Sequence, residues 1–222
     1  MSVWAVIPLK SPHSAKSRLG GVLNAAQRLH LFYVLARRVI DATLRTPGID
    51  GVSVVTASDT VVDFATGLGA QCLRLGSDRG TAEACAEALE NLPARCVQRV
   101  LFIAGDIPLI TSSALLPLIA LPDQNPLVGI AGDRRLLGTN ALLCAPGHAI
   151  PLCFGGSSFA QHIAVAARLG IPAHIVDSEP LALDIDEPRD LHEWRRRVAE
   201  SGQPVDVDLR DLFDMQEVVL SQ

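Results

Sequence analysis

The feature that most constrains the fold is a regular alternation of continuous apolar runs with segments of helical periodicity. Val3–Leu9 is an apolar run that ends in polar residues, which is typical of a buried strand. Ala25–Leu44 carries apolar side chains at helical spacing, and Leu31, Leu35 and Val39 form one row. The same alternation predicts strands over Val52–Ala57, Gln71–Leu75, Arg99–Ala104, Leu127–Ala131, Thr139–Cys144 and Ala173–Val176, and helices after Ser58 and over Thr81–Leu92, Ser157–Leu169 and Glu187–Ala199.

Alternating strands and helices predict an α/β fold with a mostly parallel central sheet and helices on both faces. The high apolar content, 49% with a mean hydropathy of +0.29, suits strands that are buried on both sides. A length of 222 residues fits one domain, which we expect to span residues 1–200. Residues 201–222 are acidic with scattered apolar positions, and we expect this tail to pack on the body or on a partner subunit, so a homodimer is one expectation.

Composition also excludes several classes of protein. The net charge of −5 argues against a nucleic-acid-binding surface, which normally carries excess Lys and Arg. No apolar stretch reaches the roughly 18 residues that a membrane span needs. Met1–Val6 lacks a basic leader, so we expect a cytoplasmic protein that does not bind membranes. The five cysteines, an odd number without metal-type spacing, are expected to be reduced thiols.

In parallel sheets, ligands bind beyond the carboxyl ends of the strands. The informative loops are therefore expected after Leu9, Ala57, Leu75, Ala104 and Cys144. The first of these loops runs from Pro8 to Leu19 and places the cations Lys10, Lys16 and Arg18 at the mouth of the sheet. Such a group can cradle a polyphosphate, although the loop has no Walker A pattern. A solvated basic loop is an equally good interpretation of the charge alone.

Three acidic residues stand at similar positions further along the chain. Asp106 follows a strongly apolar strand, and Asp184 and Asp186 lie two residues apart, so that an extended segment turns both to one face. Carboxylate oxygens are ligands for hard cations, and a shared cation would relieve their repulsion. The alternative is structural: Asp106 caps a turn, and Asp186 caps the helix that contains Pro188.

Further polar groups could bind a ligand in the second half of the chain. Gly155, Gly156, Ser157 and Ser158 open a helix, whose amides and dipole favour an anion. A serine-capped helix after a glycine turn explains the same pattern, and His162 is as easily structural as ligand-binding. Thr139 and Asn140 follow a polar turn. In the first half, Gly80 and Thr81 lie between a strand and a helix, where Gly80 would allow close approach to a planar base. By itself this segment is only a turn with an N-cap.

These segments together resemble the 2-phospho-L-lactate guanylyltransferase family, relatives of the molybdopterin-guanine-dinucleotide-type nucleotidyltransferases. The resemblance runs from Val3 to about Trp194, and five ordered motifs carry it: Lys16–Leu19, Gly105–Leu109, Gly138–Leu142, Phe154–Phe159 and Leu183–Pro188. It implies a single-domain, three-layer nucleotide-diphosphosugar transferase fold of the glycosyltransferase-A-like type. One departure is that the family usually shows Gly-x-Asn-x-Ala where this chain has Gly80-Thr-Ala-Glu83, which leaves the base and acceptor preferences open.

The resemblance also implies an activity, namely transfer of GMP from GTP to 2-phospho-L-lactate, phosphoenolpyruvate or 3-phospho-D-glycerate in deazaflavin coenzyme biosynthesis. By the same resemblance, Mg²⁺ is held by Asp106, Asp184 and Asp186. The residues that the resemblance assigns to the nucleotide are Pro8, Lys10, Lys16, Arg18, Gly80, Thr81 and Asp106. Of these, Lys16, Arg18 and Asp106 are catalytic. The residues that it assigns to the acceptor are Thr139, Asn140, Gly155, Gly156, Ser157 and Ser158.

Three other functions fit the same residues. A nucleotidyltransferase could use another acceptor, such as a sugar phosphate or a molybdopterin. A regulator could bind the nucleotide without turnover, or a glycosyltransferase could release a nucleoside diphosphate. Product analysis separates all of these.

Overall fold

The computed structural model describes residues 2–92, 97–122, 126–145 and 150–201 of the chain. The expectations for the tail and for Cys96 therefore fall largely outside the described residues. The strands are β1 (Val3–Pro8), β2 (Ile49–Thr56), β3 (Gln71–Arg74), β4 (Arg99–Ile103), β5 (Val128–Gly132), β6 (Thr139–Cys144) and β7 (Ala173–Ile175). The helices are α1 (Ala25–Leu44), α2 (Asp59–Gly67), α3 (Thr81–Asn91), α4 (Ser112–Ile119), α5 (Ser158–Arg168), α6 (Glu179–Ala182) and α7 (Pro188–Glu200), with a 3₁₀ turn at Ser17–Leu19.

The seven strands form one sheet in the order β3-β2-β1-β4-β6-β5-β7. Neighbouring strands are parallel except at β6, which runs antiparallel to both β4 and β5. The prediction of a mostly parallel α/β sheet is confirmed. The reversal of β6 has one consequence for ligand binding, because the amino end of this strand lies at the edge where β1 and β4 have their carboxyl ends.

The expectation that the strand ending at Cys144 has its carboxyl end at the ligand-binding edge is therefore wrong, although the same connection reaches that edge further on, at Phe154, Gly155 and Gly156. Cys144 pairs with Val100 near the start of β4, so the carboxyl end of β6 lies at the opposite edge of the sheet. Thr139, at the amino end of β6, lies at the ligand-binding edge instead. A sequence pattern marks where a strand is but not its direction, which explains the error.

Helices cover both faces of the sheet and complete three layers. On one face, α1, α2 and α4 bury Val39, Val61 and Leu115 against the sheet. On the other face, α3 and α5 bury Ala88 and Ala166. The sequence analysis did not predict α4, which contains Pro117, or the short α6. No helix in the described part of the chain combines the length and apolarity that crossing a membrane requires.

A third apolar cluster lies beside the ligand-binding edge of the sheet, where β1 and β4 have their carboxyl ends. It contains Leu19, Leu183, Ile185 and Trp194, which are at most 1% exposed. Leu19 ends the basic loop, whereas Leu183 and Ile185 flank Asp184. Burial of these residues therefore fixes the basic loop and the acidic segment against each other, before any charge is considered.

Candidate functional site

A cleft of about 620 Å³ opens where the carboxyl ends of β1 and β4 meet the amino end of β6. The first loop of the chain borders it on one side, and the turn between β5 and β6 borders it on another. Gly105 lies where β4 ends, and a Cβ atom at this position would come within 2.2 Å of Leu9 Cδ2. Glycine is thus required for the loops after β1 and β4 to approach this closely.

Lys16 lies at the centre of this cleft. Its ammonium group donates hydrogen bonds to Asp106 Oδ2 and to the carbonyl of Ile185, and it lies 3.4 Å from Asp186 Oδ1. Only 8% of its side chain is exposed. The backbone of Lys16 is left-handed, with φ 58° and ψ 28°, a conformation that costs a residue with a side chain roughly 1–2 kcal/mol. The fold therefore holds this lysine in place against a backbone cost.

The protonation of Lys16 follows from two opposing effects. Burial lowers the pKa of the Lys16 ammonium, but the carboxylates of Asp106, Asp186 and Asp184 outweigh it and hold the pKa above its ordinary value. Lys16 is therefore a cation at neutral pH.

The acidic segment alternates as expected for extended backbone. Leu183 and Ile185 are fully buried, so Asp184 and Asp186 project from the opposite side, into the cleft. Burial, followed by repulsion from Asp106 and Asp186, raises the pKa of Asp184 to about 7. The carboxylates of Asp106 and Asp186 thus disfavour ionisation of Asp184, and the three residues carry negative charge that Lys16 offsets only in part.

The described residues contain no group of three or more His, Cys, Asp or Glu side chains arranged to hold a metal ion unaided. Asp106, Asp184 and Asp186 all line the cleft, but the cation that lies among them is the ammonium of Lys16. Any hard cation bound here would need further oxygen ligands from a substrate, as is usual for Mg²⁺ at phosphate-binding sites.

The remaining residues predicted for the nucleotide line the same region. Pro8, Lys10 and Arg18 border the cleft, and Arg18 Nη1 lies 3.8 Å from Asp186 Oδ2 with a largely exposed side chain. Thr81 borders both the cleft and a small adjoining hollow, which Gly80 also lines. Gly80 has φ +103°, so its turn favours glycine.

The residues predicted for the acceptor lie on the opposite side of Asp106 but differ in their contacts. Thr139, Asn140, Gly155, Gly156 and Ser158 line the cleft. The Asn140 amide is already used, because it donates a 2.8 Å hydrogen bond to the Leu181 carbonyl. The hydroxyl of Ser158 is buried and has no hydrogen-bond partner among the described residues.

Ser157 differs from the other residues predicted for the acceptor. Its hydroxyl accepts a 2.6 Å hydrogen bond from Gln161 Nε2, and the residue does not border the cleft. Ser157 is the N-cap residue of α5 but makes no side-chain capping hydrogen bond. The serine-capped helix considered for this segment is thus not formed.

The structure also decides the alternative that Asp186 caps α7. The cap is Glu187, in a reciprocal capping box with Asp190. Asp190 is 5% exposed, and its Oδ2 accepts hydrogen bonds from the amides of Asp186 (3.0 Å) and Glu187 (2.7 Å). Asp186 is therefore not the cap of α7. Its backbone amide is held by Asp190 of the capping box, and its own carboxylate remains at the cleft.

Five charged residues at the cleft were missed by the sequence analysis: Asp133, Arg134, Arg135, Glu187 and Asp190. Asp190 Oδ1 forms an ion pair with Arg134 and lies 3.9 Å from Arg135 Nη2. The two arginines belong to the β5–β6 turn, which Asp133 closes by accepting hydrogen bonds from the amides of Arg135, Leu137 and Gly138. The polar run Gly132–Arg135 could have pointed to the two arginines, but the sequence does not show that they pair with Asp190 on α7.

Two solved structures share this architecture at low sequence identity. A protein from Desulfovibrio desulfuricans G20, assigned as a nucleotide-diphospho-sugar transferase, superposes with a TM-score of 0.74 at 16% identity, covering 100% of this chain and 98% of that one. A nucleotidyl transferase from Methanothermobacter thermautotrophicus gives a TM-score of 0.67 at 17% identity over 90% and 98% of the two chains. These structures confirm the predicted fold.

Closer relatives are found by sequence. A phosphoenolpyruvate guanylyltransferase of Rubrobacter xylanophilus is 37% identical, covering 86% of this chain and 92% of the relative. A 2-phospho-L-lactate guanylyltransferase of M. thermautotrophicus is 31% identical (87% and 84%), and a 3-phospho-D-glycerate guanylyltransferase of Colwellia psychrerythraea is 34% identical (84% and 88%). The family model described as guanylyl transferase CofC like matches residues 3–195, and the chain belongs to this family of guanylyltransferases.

Proposed function

We propose that this protein transfers GMP from GTP to a phosphorylated small acid and releases diphosphate, as a step of deazaflavin coenzyme biosynthesis. Among the three acids used by its relatives we favour phosphoenolpyruvate, because the relative at 37% identity acts on that substrate. The observation that carries the proposal is the placement of Lys16 among Asp106, Ile185 and Asp186, at the centre of a cleft with two chemically different sides.

The two sides suit two different ligands. The side formed by the first loop offers Lys10, Lys16 and Arg18 to a polyphosphate, and the turn at Gly80, beside Thr81 at the cleft, allows close approach of a planar base. The other side offers neutral donors from Thr139, Ser158 and the glycine turn, which suit the carboxylate or phosphate of a small acid. Asp106 lies between them, where the two ligands would meet.

The proposed reaction is an in-line displacement at the α-phosphorus of GTP. A phosphate oxygen of the acceptor forms the new bond to this phosphorus, and the bond to the oxygen bridging the α- and β-phosphorus breaks, so that diphosphate leaves with that electron pair. The attacking phosphate is already anionic near neutral pH, so no general base is required. The protein contributes positioning and charge stabilisation, the latter from Lys16 and Arg18.

The main obstacle is repulsion between two anions, about 4 kcal/mol for two unit charges 4 Å apart at an effective dielectric constant near 20. The described residues lining the cleft include six acidic and five basic side chains, so the protein alone does not supply the positive charge that two anionic substrates need. The raised pKa of Asp184, due to burial and then to Asp106 and Asp186, shows the same deficit of positive charge.

These residues fit a divalent cation. Asp106, Asp184 and Asp186 would hold Mg²⁺ together with phosphate oxygens, and the ion would supply charge neutralisation between the two substrates. The fit rests on the chemistry of the donors, which are carboxylates at a deficit of positive charge. Among the described residues these carboxylates do not form a complete metal site by themselves, so oxygens of a substrate would have to complete it.

The proposal is tested by mass spectrometry of the products formed from GTP and each of the three acids in the presence of Mg²⁺. We expect diphosphate and a guanylylated acid, with phosphoenolpyruvate giving the fastest turnover. ATP, CTP and UTP are the matched controls for the base. Release of GDP, or tight binding of GTP without any product from the three acids, would contradict the proposal.

A further inference from the structure

His162 lies on α5, is fully buried and does not border the cleft, yet it contacts a residue that does. Its Nδ1 lies 3.0 Å from Thr139 Oγ1, and its Nε2 lies 3.0 Å from the backbone nitrogen of Cys153. The imidazole also makes an edge contact with Phe154, with ring centroids 5.4 Å apart. The ring thus links β6 to the segment that leads into the turn at Gly155 and Gly156.

These two contacts determine which ring nitrogen carries the hydrogen. The amide of Cys153 can only donate, so Nε2 must accept and cannot be protonated. Burial lowers the pKa of His162 to about 4, so the ring is neutral at pH 7. A neutral imidazole has a single N–H group, which must therefore be at Nδ1 and must donate to Thr139 Oγ1.

The orientation of the Thr139 hydroxyl follows from this. Since Thr139 Oγ1 accepts from His162, the hydrogen of the hydroxyl points elsewhere, and the described residues provide no acceptor for it. Thr139 borders the cleft, so this hydrogen is available to a ligand there. Ser158, which follows the turn at Gly155 and Gly156, also has a buried hydroxyl without a partner among the described residues.

We propose that His162 is a positioning residue that fixes the Thr139 hydroxyl as a hydrogen-bond donor to an anionic oxygen of the acceptor acid. The inference rests on the proposed function and extends it to the recognition of the acceptor. A hydroxyl held as a donor favours a carboxylate or phosphate oxygen and disfavours a group that can only donate, such as an ammonium.

Two substitutions separate this role from simple support of the fold. Asn at position 162 places an amide near the position of Nδ1 and can still donate to Thr139, whereas Gln places its amide near Nε2 and can only replace the contact with Cys153. We expect His162→Asn to keep the KM for phosphoenolpyruvate within about threefold of wild type. We expect His162→Gln to raise it about tenfold, the effect of one hydrogen bond to a charged group. The KM for GTP should stay unchanged in both.

Thr139 provides the matched controls. Thr139→Val should raise the KM for the acceptor at least as much as His162→Gln, whereas Thr139→Ser keeps the hydroxyl and should raise it less than Thr139→Val does. If His162 acts through Thr139, adding His162→Gln to Thr139→Val causes little further change. Additive effects, a larger defect in His162→Asn than in His162→Gln, or an equal rise in the KM for GTP would overturn the inference.

One measurement needs no substitution. Long-range ¹⁵N–¹H NMR correlations of the wild-type protein, with ¹⁵N-labelled histidine, show which nitrogen of His162 bears the hydrogen. We expect it at Nδ1, and finding it at Nε2 would overturn the inference even if neither His162 variant folds. If no acid supports turnover by the wild type, the proposed function fails; if turnover occurs but these results do not follow, only the role of His162 fails.

Discussion

The guanidinium of Arg134 forms an ion pair with the buried carboxylate of Asp190, and this contact joins the β5–β6 turn to the first turn of α7. The other oxygen of the same carboxylate accepts hydrogen bonds from the amides of Asp186 and Glu187. One side chain therefore holds the acidic segment and the arginine turn together at the cleft.

Asp190→Asn should lower the free energy of unfolding by about 2–3 kcal/mol, because its one oxygen can still accept from the two amides but its NH2 group then faces the partly buried Arg134, which loses its counterion. Urea denaturation measures the change. Asp59→Asn, which breaks an exposed pair with Arg74, is the control and should leave the curve unchanged. An equal response of the two variants would show that Asp190 is not a structural link.

Asp184→Asn should abolish most turnover but stabilise the substrate-free protein at pH 8. The native protein must ionise Asp184 beside Asp106 and Asp186 when its pKa is about 7, whereas the unfolded chain ionises it near pH 4 without this cost. We expect a gain of about 1–3 kcal/mol by urea denaturation in EDTA.

The same experiment has an internal control for activity. Asp177→Asn changes an exposed carboxylate that does not border the cleft, and it should alter neither stability nor turnover. Asp184→Asn with turnover near that of the wild type in Mg²⁺ would remove Asp184 from the proposed metal ligands.

Lys16→Met should reduce kcat by about 10²–10³-fold, since it removes a charge placed to stabilise the triphosphate in the transition state. Arg18→Gln should cost less, about tenfold, because the Arg18 side chain is largely exposed. Steady-state kinetics with saturating GTP measure both. A smaller loss for Lys16→Met than for Arg18→Gln would contradict the central position assigned to Lys16.

Arg135→Gln should raise the KM for the acceptor about tenfold and leave the KM for GTP unchanged. Arg135 borders the cleft on the side of Thr139, lies beyond hydrogen-bond distance of Asp190, and can therefore contact an anion. Arg168→Gln, at an exposed position at the end of α5, is the charge-matched control and should leave both constants unchanged. A selective rise in the KM for GTP would place Arg135 at the nucleotide instead.

His162 should make stability depend on pH below neutrality. Its pKa is near 4 in the folded protein because of burial, but near 6.5 in the unfolded chain, which therefore takes up a proton first as the pH falls. The stability that neutral His162 provides is complete above pH 6.5 and is lost towards pH 4, by about 1–3 kcal/mol.

Asp184 has an opposite effect in this range, so the measurement is a difference in unfolding free energy between wild type and His162→Asn. This difference should shrink as the pH falls from 7 to 4. His192→Gln, at an exposed position, should show no such trend relative to wild type. A difference that stays constant with pH would contradict the neutral, buried state of His162.

Much of the fold was predictable because buried strands are continuous apolar runs, as β1 and β4 show. The acidic segment was predictable for a similar reason, since the alternation of Leu183 and Ile185 with Asp184 and Asp186 sets their direction. The direction of β6 was not predictable, because an apolar run reads the same for a parallel or an antiparallel strand. Arg134 and Asp190 are 56 residues apart, and only the folded chain brings them together.

Because β6 is reversed, the two sides of the proposed site differ in how easily their backbone can change in evolution. Thr139 is a strand residue that pairs with Gly132, and the following residues pair with β4 as well, so the floor of the acceptor side is part of the sheet itself. The nucleotide side consists of connecting loops, which accept insertions and new backbone paths. Descendants of such a protein could remodel the proposed nucleotide side by altering loops, whereas the part of the acceptor side that β6 forms could change only by replacement of side chains.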